Sequence, residues 1–387
     1  MLNSQFYTVD DATYTSKFTV MKALQGTNKT AEFHVYSDAL DGLNLLVEPL
    51  QSLEELYAKR ARELRAKYDH IVLFFTGGTD SEHVFRTFYN NGLKVDELVN
   101  WSYERNLREK NYDLGLDIEA LEADKLSIPL MKYIKAELCP DIKITSIDYT
   151  KFVTDFWTNM GKNWHETLDD SVIAALLTPG CAWRADMDAI NPDWARMTAA
   201  GKKICFLACK EKVRVKRDTK GYYLQYHDNQ NHRHKIGRIN RKGDPINIEM
   251  FYGDDTTLEL QLKLAHVLTR SWLSNPVYQN YFERPVDRAW ENAYANAVYG
   301  KRLLPLPYLG GKQRDQAFGK RYASTDAASV WFFEDKNSSW MRNWYAPMQE
   351  IASNLSKTFR DADDLMMRGF HLIDSKRYYF RLNSVHG

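Results

Sequence analysis

The chain has 387 residues, of which 44% are apolar, and its formal net charge is +1. This length suffices for two to three average domains or for one enlarged α/β core with additions. No apolar run approaches a membrane span, and the first residues lack the basic and apolar regions of a signal peptide. The four cysteines are few and scattered, which argues against a disulfide framework, and we interpret Cys205 and Cys209 as core residues. We therefore expect a soluble, cytoplasmic protein without a membrane partner.

Strand and helix signals alternate from the start of the chain. Residues 1–50 contain short strand-like pieces, which we interpret as an N-terminal extension. Ser52 and Glu55 form a capping box for a helix that continues to Tyr68. The apolar run at 71–75 follows as a strand, and the next helix ends where Gly92 can adopt the left-handed conformation.

The alternation continues beyond residue 92. Further strands are predicted at 93–101, 142–147 and 203–208, with helices at 150–160 and 168–177 and a helical stretch that Pro129 restarts. This order predicts an α/β fold with a mostly parallel sheet and helices on both faces, spanning residues 51–250. Residues 251–387 are predicted to be mainly helical and rich in aromatic side chains, beginning with an amphipathic helix capped by Asp255 and Thr256.

A glycine turn, Thr76–Ser81, follows the strand at 71–75 and precedes a helix. Backbone N–H groups and the positive end of the helix dipole point at one spot there, which favours a phosphate group. Gly77 and Gly78 let the backbone approach an anion closely. Hydroxyl donors and one carboxylate that can hold Mg²⁺ against phosphate oxygens come from Thr76, Thr79, Ser81 and Asp80. The turn therefore suggests nucleotide chemistry, and the alternative is an ordinary tight strand-to-helix connection.

The turn resembles the SGGxDS signature of the PP-loop ATP pyrophosphatases, in the adenine nucleotide alpha-hydrolase superfamily. Thr76 replaces the usual first Ser and keeps its hydroxyl. The turn is not a Walker A loop, because GxxxxGK[ST] occurs nowhere in the chain. The resemblance implies a HUP-like, Rossmann-like fold in which ATP binds at the carboxyl ends of the strands, with pyrophosphate in the loop and adenine near the end of a neighbouring strand. Asn100 and Trp101 are the candidate adenosine contacts on that neighbouring strand.

Residues 201–243 contain thirteen Lys or Arg against three Asp or Glu. Such an excess is typical of a surface that binds ATP or a nucleic acid. Within it, Lys210, Lys212 and Arg214 follow the strand at 203–208 and can reach the same crevice as the loop. PP-loop enzymes use a later basic residue to neutralise the leaving pyrophosphate. We predict a basic hairpin insertion near residues 210–243, with strands at 212–217 and 222–226 and its turn at Asp218–Gly221; the alternative is that this hairpin is only solvated and binds nothing.

The resemblance extends beyond the loop to PP-loop proteins encoded by tailed phages. It rests on the order of the capped helix, the loop, the basic segment at 210–214, Phe251-Tyr252 with the helix at 261–266, and the segment 316–320. The chain departs from asparagine synthetase in having no N-terminal nucleophilic cysteine. Any ammonia or sulfur would have to come from solvent or from a separate donor.

The function that these features predict is ATP-dependent adenylation. Mg·ATP would transfer AMP to an oxygen of the substrate and release pyrophosphate, and an amine, ammonia or sulfur nucleophile would then displace AMP. The basic region makes a nucleic acid or nucleotide the leading substrate. A reductase resembling the adenylyl-sulfate reductases is disfavoured because no cysteine follows Cys209. The alternative of another class is a non-catalytic nucleic-acid- or virion-associated binding protein that retains the nucleotide fold.

Overall fold

The computed structural model describes residues 5–14, 17–24, 27–35, 37–102, 126–148, 150–164, 191–209, 213, 215–226, 246–253, 255–274 and 375–382, together with 342, 343, 346, 347, 349 and 373. Across those ranges, no helix combines the length and the apolar character that crossing a membrane requires.

The N-terminal residues form a small antiparallel sheet. Its strands β1 (Gln5–Val9), β2 (Ala12–Tyr14) and β3 (Ala31–Val35) lie in the order β2-β1-β3. Helix α1 (Lys17–Leu24) connects β2 to β3, and helix α2 (Ser37–Asp41) follows. Tyr7 and Phe33 are fully buried and belong to the same hydrophobic core as the rest of the fold. The predicted strand-like pieces are therefore confirmed, and they pack onto the α/β unit.

A five-stranded sheet in which all neighbouring strands are parallel forms the centre of the fold. Its strands are β4 (His70–Phe74), β5 (Glu97–Ser102), β6 (Lys143–Asp148), β7 (Ile204–Ala208) and β10 (Ile246–Met250), in the order β10-β7-β4-β5-β6. The chain winds outwards from β4 to β6 and then returns to the other side of β4 for β7 and β10. The winding therefore reverses between β4 and β7, as at the switch point of a Rossmann-like fold.

Helices cover both faces of this sheet. Buried residues of α3 (Leu53–Lys67), α4 (Thr79–Asn90), α5 (Ile128–Tyr133) and α8 (Leu258–Ser274) join the core on one face, and α7 (Pro192–Ala199) joins the core on the other. Helix α6 (Thr150–Met160) follows β6 in the chain. A π-helical turn, Ile134–Leu138, continues α5, and a 3₁₀ turn, Asp255–Thr257, precedes α8.

Side chains along β4 alternate between two cores because successive residues of a strand point to opposite faces. Ile71 and Leu73 join the larger core, which includes buried residues of α3, α4, α5 and α8. Val72 joins the smaller core on the other face, with Trp194 of α7 and Phe206 of β7. The Trp194 and Phe206 rings meet edge to face, with centroids 4.6 Å apart. Both faces of the sheet are thus shielded from water, as the near-continuous apolar strands require.

Local capping signals fix the ends of the two helices that flank β4. The Ser52 side chain accepts a hydrogen bond from the Glu55 N–H, and the Glu55 carboxylate accepts one from the Ser52 N–H, so the predicted capping box begins α3. At the end of α4, Gly92 has φ +64° and its N–H donates to the Tyr89 carbonyl. This left-handed glycine ends α4 as predicted.

A buried carboxylate ties the amino ends of three strands to α7. Glu97 of β5 is fully buried and accepts hydrogen bonds from the Trp194 indole, the Thr145 hydroxyl and the His70 ring. Burial alone would raise the pKa of Glu97, but these hydrogen bonds and the nearby Lys143 outweigh it and lower the pKa. This cluster lies at the end of the sheet opposite the glycine turn, so we assign it to stability.

A second antiparallel sheet contains the predicted hairpin. Strands β8 (Val215–Asp218) and β9 (Gly221–Leu224) pair across the turn, and β11 (Tyr378–Phe380) pairs with the other edge of β9. Val215, Leu224 and Phe380 point into the large core. The sequence predicted the hairpin, but it did not predict the third strand.

Two predicted elements begin at other residues than expected, and the sequence did not predict β10 or α7. Strand β5 begins at Glu97 and not at residue 93, because the Leu93 N–H closes the end of α4 by donating to the Phe88 carbonyl. Asp255 and Thr256 lie in the 3₁₀ turn before α8, so the helix begins at Leu258. The helix predicted at 168–177 and most of the C-terminal region lie outside the described residues.

Candidate functional site

The glycine turn lies at the carboxyl end of β4, at the switch point of the central sheet. Gly77 has φ +74°, a conformation that favours glycine. Gly78 is the N-cap residue of α4 and provides no side-chain cap, since it has no side chain. The first N–H groups of α4 therefore remain without a capping side chain at Gly78, in the place where α/β folds bind ligands.

Charge at the start of α4 is mixed. The helix is 12 residues long, so the positive end of its dipole lies at Thr79 and Asp80. Asp80 is half-buried in the first turn and Glu82 is almost fully buried behind it. These carboxylates stabilise the helix dipole, but they repel a bare phosphate. A cation between Asp80 and the phosphate would remove this conflict.

The hydroxyl groups of the turn are engaged within the turn itself. Thr76 Oγ1 accepts a hydrogen bond of 3.3 Å from the Gly78 N–H and lies 3.4 Å from Ser81 Oγ. Ser81 Oγ donates to the Gly78 carbonyl at 3.1 Å, and the Ser81 side chain is buried. These contacts hold the loop in shape, and the exposed Thr76 hydroxyl is the more accessible of the two.

Gly77 packs against the segment that leads into α5. A Cβ atom on Gly77 would lie 2.9 Å from Leu126 Cγ and 3.0 Å from both Ser127 Cα and Ser127 N. Side-chain carbons are not tolerated at such distances, so the loop requires glycine here for close approach as well as for its backbone angle. At Gly78, by contrast, the nearest atom to an added Cβ would be Thr76 Oγ1 at 3.3 Å.

A buried hydrogen-bond chain joins β5 to the start of the loop through Ser127. The Ser127 hydroxyl donates to the Phe75 carbonyl at 2.6 Å and accepts from Asn100 Nδ2 at 2.9 Å. Because the single hydroxyl hydrogen of Ser127 is used by Phe75, the amide of Asn100 must present its NH₂ group to Ser127. This leaves Asn100 Oδ1, which is buried and has no hydrogen-bond partner among the described residues.

The orphaned Asn100 oxygen lies at the carboxyl end of β5, the neighbour of β4. Asn100 is 5% exposed, and a buried amide oxygen without a partner costs roughly 1 to 3 kcal/mol. A ligand that donates a hydrogen bond to Oδ1 would recover that cost. Asn100 thus lies buried beside the loop, and its predicted use as an adenosine contact stays a prediction.

A second buried chain connects α4 to the segment before α8. His83 Nδ1 lies 2.6 Å from the Tyr252 hydroxyl, and the Tyr57 ring meets the His83 ring edge to face at 4.5 Å. Thr257 donates to the Tyr252 carbonyl and accepts from the Gln261 amide. Tyr252 belongs to the Phe251-Tyr252 pair of the sequence resemblance, and it now lies against the helix that begins at the glycine turn.

The same chain continues into the second sheet. The Tyr226 hydroxyl donates to Gln261 Oε1 at 2.9 Å, and burial raises the pKa of Tyr226 well above its usual value, so the hydroxyl keeps its proton. The Tyr226 N–H donates to Ser375 Oγ in the segment before β11. Polar contacts thus run from α4 through α8 to the second sheet.

Several predicted site residues lie outside the described residues. Lys210, Lys212 and Arg214 are among them, so the basic residue that would face the leaving group stays a prediction. For Trp101, the backbone is described as part of β5, whereas the side chain is not. The structure thus brings together Thr76–Ser81 and Asn100 from the predicted set.

Sequence reasoning missed two residues of this region. No sequence motif indicates that Ser127 belongs to the site. Its place just before Ile128-Pro129 indicates only that it lies at the start of a helix. His83 lies two positions after Ser81, and the sequence offers no sign that its ring meets Tyr252. Both contacts are long-range and become visible only in the folded chain.

No group of three or more His, Cys, Asp or Glu side chains within the described ranges could hold a metal ion. The use of Asp80 as a metal ligand stays a prediction. Mg²⁺ is commonly held by one or two carboxylates together with phosphate oxygens and water, so one carboxylate beside a phosphate site fits this ion.

Comparison with known proteins gives no family assignment. No protein-family model matches the chain, and no curated protein matches it.

Proposed function

We propose that the protein is an ATP-dependent adenylating enzyme, a PP-loop ATP pyrophosphatase with a HUP-like fold. The observation that carries the proposal is the position of Thr76–Ser81 at the carboxyl end of β4, beside the reversal of strand order. A left-handed glycine, an α4 N-terminus without a capping side chain and a neighbouring carboxylate meet there. Together with the sequence resemblance, this favours cleavage between the α and β phosphates of ATP.

In this proposal the backbone N–H groups of Gly77, Gly78 and Thr79 hold the pyrophosphate portion of ATP. The Gly78 N–H exchanges its hydrogen bond to Thr76 for one to a phosphate oxygen, and the Thr76 hydroxyl is then freed to donate as well. Ser81 braces the loop through the Gly78 carbonyl. The loop would thus bind phosphate mostly through groups that are already ordered, which limits the entropy lost on binding.

Asp80 would hold Mg²⁺, and the ion would supply positive charge that offsets the charge of the phosphates. Lys210, Lys212 or Arg214 supplies further positive charge to the leaving group. Asn100 faces the nucleoside, because its unpaired Oδ1 can accept a hydrogen bond from an adenine amino group or a ribose hydroxyl. Trp101, the next residue of β5, is assigned to the same part of the site.

A nucleic acid or nucleotide is the proposed substrate, since residues 201–243 carry a large excess of positive charge. An oxygen of this substrate attacks the α phosphorus and becomes adenylated while pyrophosphate leaves. Ammonia, an amine or sulfur from a separate donor then displaces AMP. A phage-encoded enzyme of this type would act in the host cytoplasm.

The test compares cells that express the wild-type chain with cells that express Asp80→Ala. Nucleic acid from each is digested to nucleosides and analysed by mass spectrometry, and a mass difference found only with wild type is the expected result. Nucleic acid from the Asp80→Ala cells then serves as the unmodified substrate for purified protein with Mg·ATP. Phosphorus NMR should resolve pyrophosphate together with AMP that is attached to the substrate, or with free AMP once ammonium is added as the nucleophile, whereas ADP and inorganic phosphate would contradict the proposal.

The local charge excess also favours a second candidate, a nucleic-acid- or virion-associated binding protein without catalysis. Such a protein would bind single-stranded nucleic acid in a salt-sensitive manner and show no heat of binding with Mg·ATP. Calorimetric titration with each ligand separates the two candidates.

A further inference from the structure

We propose that the second antiparallel sheet, formed by β8, β9 and β11, is a docking surface for single-stranded nucleic acid. The proposal rests on the proposed function only for the role of the docked strand, as the substrate that would be brought to the glycine turn. The docking itself is argued from the charges and rings of the sheet.

The two faces of this sheet differ in chemistry. Val215, Leu224 and Tyr378 occupy one cross-strand row and point into the large core. The next row consists of Lys216, Tyr223 and Tyr379, which face the other way because successive residues alternate. One face of the sheet therefore packs against the large core, and the opposite face carries basic and aromatic side chains.

Positive charge is concentrated on and beside the three strands. Residues 215–226 and 375–382 contain one carboxylate, Asp218, and six basic side chains: Lys216, Arg217, Lys220, Lys376, Arg377 and Arg381. Strand β11 brings the last three to the hairpin from a distant part of the sequence. Five of the six are exposed, and Lys216 is half-buried.

Only part of this charge is neutralised. Arg377 pairs with Asp218 at 2.6 Å, and Lys376 pairs with Asp41 of α2 at 2.7 Å. Arg381 on the outward face, Lys220 in the hairpin turn and the exposed Arg217 at the edge of the core face have no carboxylate partner among the residues that the structure describes. Like charges gathered without partners oppose folding, and the core face already anchors the sheet. A polyanion provides the missing countercharge.

Two guanidinium groups are already ordered against tyrosine rings. Arg377, on the outward face, lies over the buried Tyr223 ring at 5.0 Å from its centre, and Arg217, in the core-facing row of Tyr222 and Phe380, lies over the Tyr222 ring at 5.6 Å. Stacking of this kind restricts the arginine side chains before any ligand arrives, so less entropy is lost when they bind phosphate. The planar guanidinium also keeps N–H donors at its edge for phosphate oxygens.

The occupant is a single strand because an aromatic ring lies among the basic groups. Tyr379 is half-buried, so part of it faces solvent, and its hydroxyl donates to Asp218. Arg377 and Arg381 lie two positions before and after it. Unpaired bases stack on such a ring while the neighbouring basic groups contact the backbone phosphates, whereas a duplex keeps its bases inside.

The experiment measures binding of fluorescent 12-nucleotide single strands, DNA and RNA, to the full chain by anisotropy between 50 and 200 mM salt. Four phosphate contacts would weaken binding about 50-fold over this range, since each contributes about 0.7 to the logarithmic salt slope. The double variant Arg377→Gln/Arg381→Gln, which removes the two basic side chains on either side of Tyr379, should lower the slope by about 1.4 and weaken binding roughly tenfold or more at 50 mM. Its affinity for Mg·ATP should stay unchanged.

The matched control is Arg62→Gln/Lys135→Gln, which removes the same charge from exposed residues of α3 and of the π-helical turn after α5, both outside residues 201–243. An equal loss of binding in this control would overturn the proposal, as would a double variant with an unchanged salt slope. Tyr379→Phe keeps the ring and should bind as wild type, while Tyr379→Leu should bind roughly tenfold more weakly. A duplex that binds as tightly as the single strand would also contradict the assignment.

This experiment distinguishes failure of the docking surface from failure of the proposed nucleotide site at the glycine turn. Asp80→Ala is expected to keep its affinity for the single strand and to lose nucleotide chemistry. Loss of strand binding in Asp80→Ala, with the fold intact by circular dichroism, would place the polymer at the glycine turn and overturn the docking surface.

Discussion

Gly77 lies directly against Ser127: a Cβ on Gly77 would be 3.0 Å from both the Cα and the backbone N of Ser127. The same Ser127 donates to the Phe75 carbonyl, two residues before Gly77, and accepts from Asn100. The start of α5 therefore fixes the position of the glycine turn from one side, and the turn cannot move away without breaking a buried hydrogen bond.

Gly77→Ala should destabilise the protein more than Gly92→Ala does. Both glycines have a positive φ, at +74° and +64°, but an added Cβ meets nothing within 4 Å at Gly92. Gly92→Ala should therefore lower the free energy of unfolding by only about 1 kcal/mol, which is the cost of holding a residue with a Cβ in the left-handed conformation. In Gly77→Ala the added Cβ also clashes with Leu126 and Ser127, which should lower the free energy of unfolding further, by about 1 to 3 kcal/mol. Urea denaturation of both variants measures the difference, and equal losses of stability would show that Ser127 does not restrict the turn.

Ser127→Ala should cost about 1 to 3 kcal/mol of stability, because it leaves the Phe75 carbonyl and the Asn100 amide without a buried partner. It should also weaken Mg·ATP binding, since the end of β4 and Asn100 both lose their anchor. The control is Ser274→Ala, which removes an exposed hydroxyl that donates to a carbonyl of its own helix. If Ser127→Ala loses no more stability than this control, the buried chain is not a structural link.

Glu48 should make the free energy of unfolding fall as the solution becomes acidic. Burial alone would raise the pKa of Glu48, but hydrogen bonds from Arg270 and Lys263 of α8 outweigh it and lower the pKa to about 2. The unfolded value is about 4.3, so the contribution of Glu48 is fully present above about pH 5 and is lost as the pH falls towards 2.

Glu48→Gln should therefore be less stable than wild type at pH 7, and the gap should narrow at pH 3. The urea midpoint at each pH is the measurement. Glu63→Gln, at an exposed position of α3, is the control and should follow the wild type at both values. A gap that is the same at pH 3 and pH 7 would contradict the link between Glu48 and α8.

Local signals predicted the elements whose ends depend on neighbouring residues. The capping box of Ser52 and Glu55 and the left-handed Gly92 each involve residues within a few positions, and both were confirmed. The same holds for the strand, glycine turn and helix around Gly77, because the apolar run and the two glycines are adjacent. The alternation of strands and helices was enough to predict a parallel sheet, but the order of its strands emerged only from the structure.

Contacts between distant segments could not be predicted in this way. Ser127 and Phe75 are 52 residues apart, and nothing near Ser127 indicates a hydrogen bond to the end of β4. Strand β11 contains only three residues, Tyr378–Phe380, and its pairing with β9 depends on the buried row that Leu224 and Tyr378 share. A strand this short has too few alternating positions to be recognised from its sequence.

Calorimetric titration of Mg·ATP into the purified chain is the most direct test of the claim that the glycine turn is a nucleotide site. Wild type should bind one equivalent. Asp80→Ala should bind at least about tenfold more weakly, a loss of about 1.4 kcal/mol, because the Mg²⁺ ligand is missing. Absence of binding in wild type, or the same affinity in Asp80→Ala, would contradict the account.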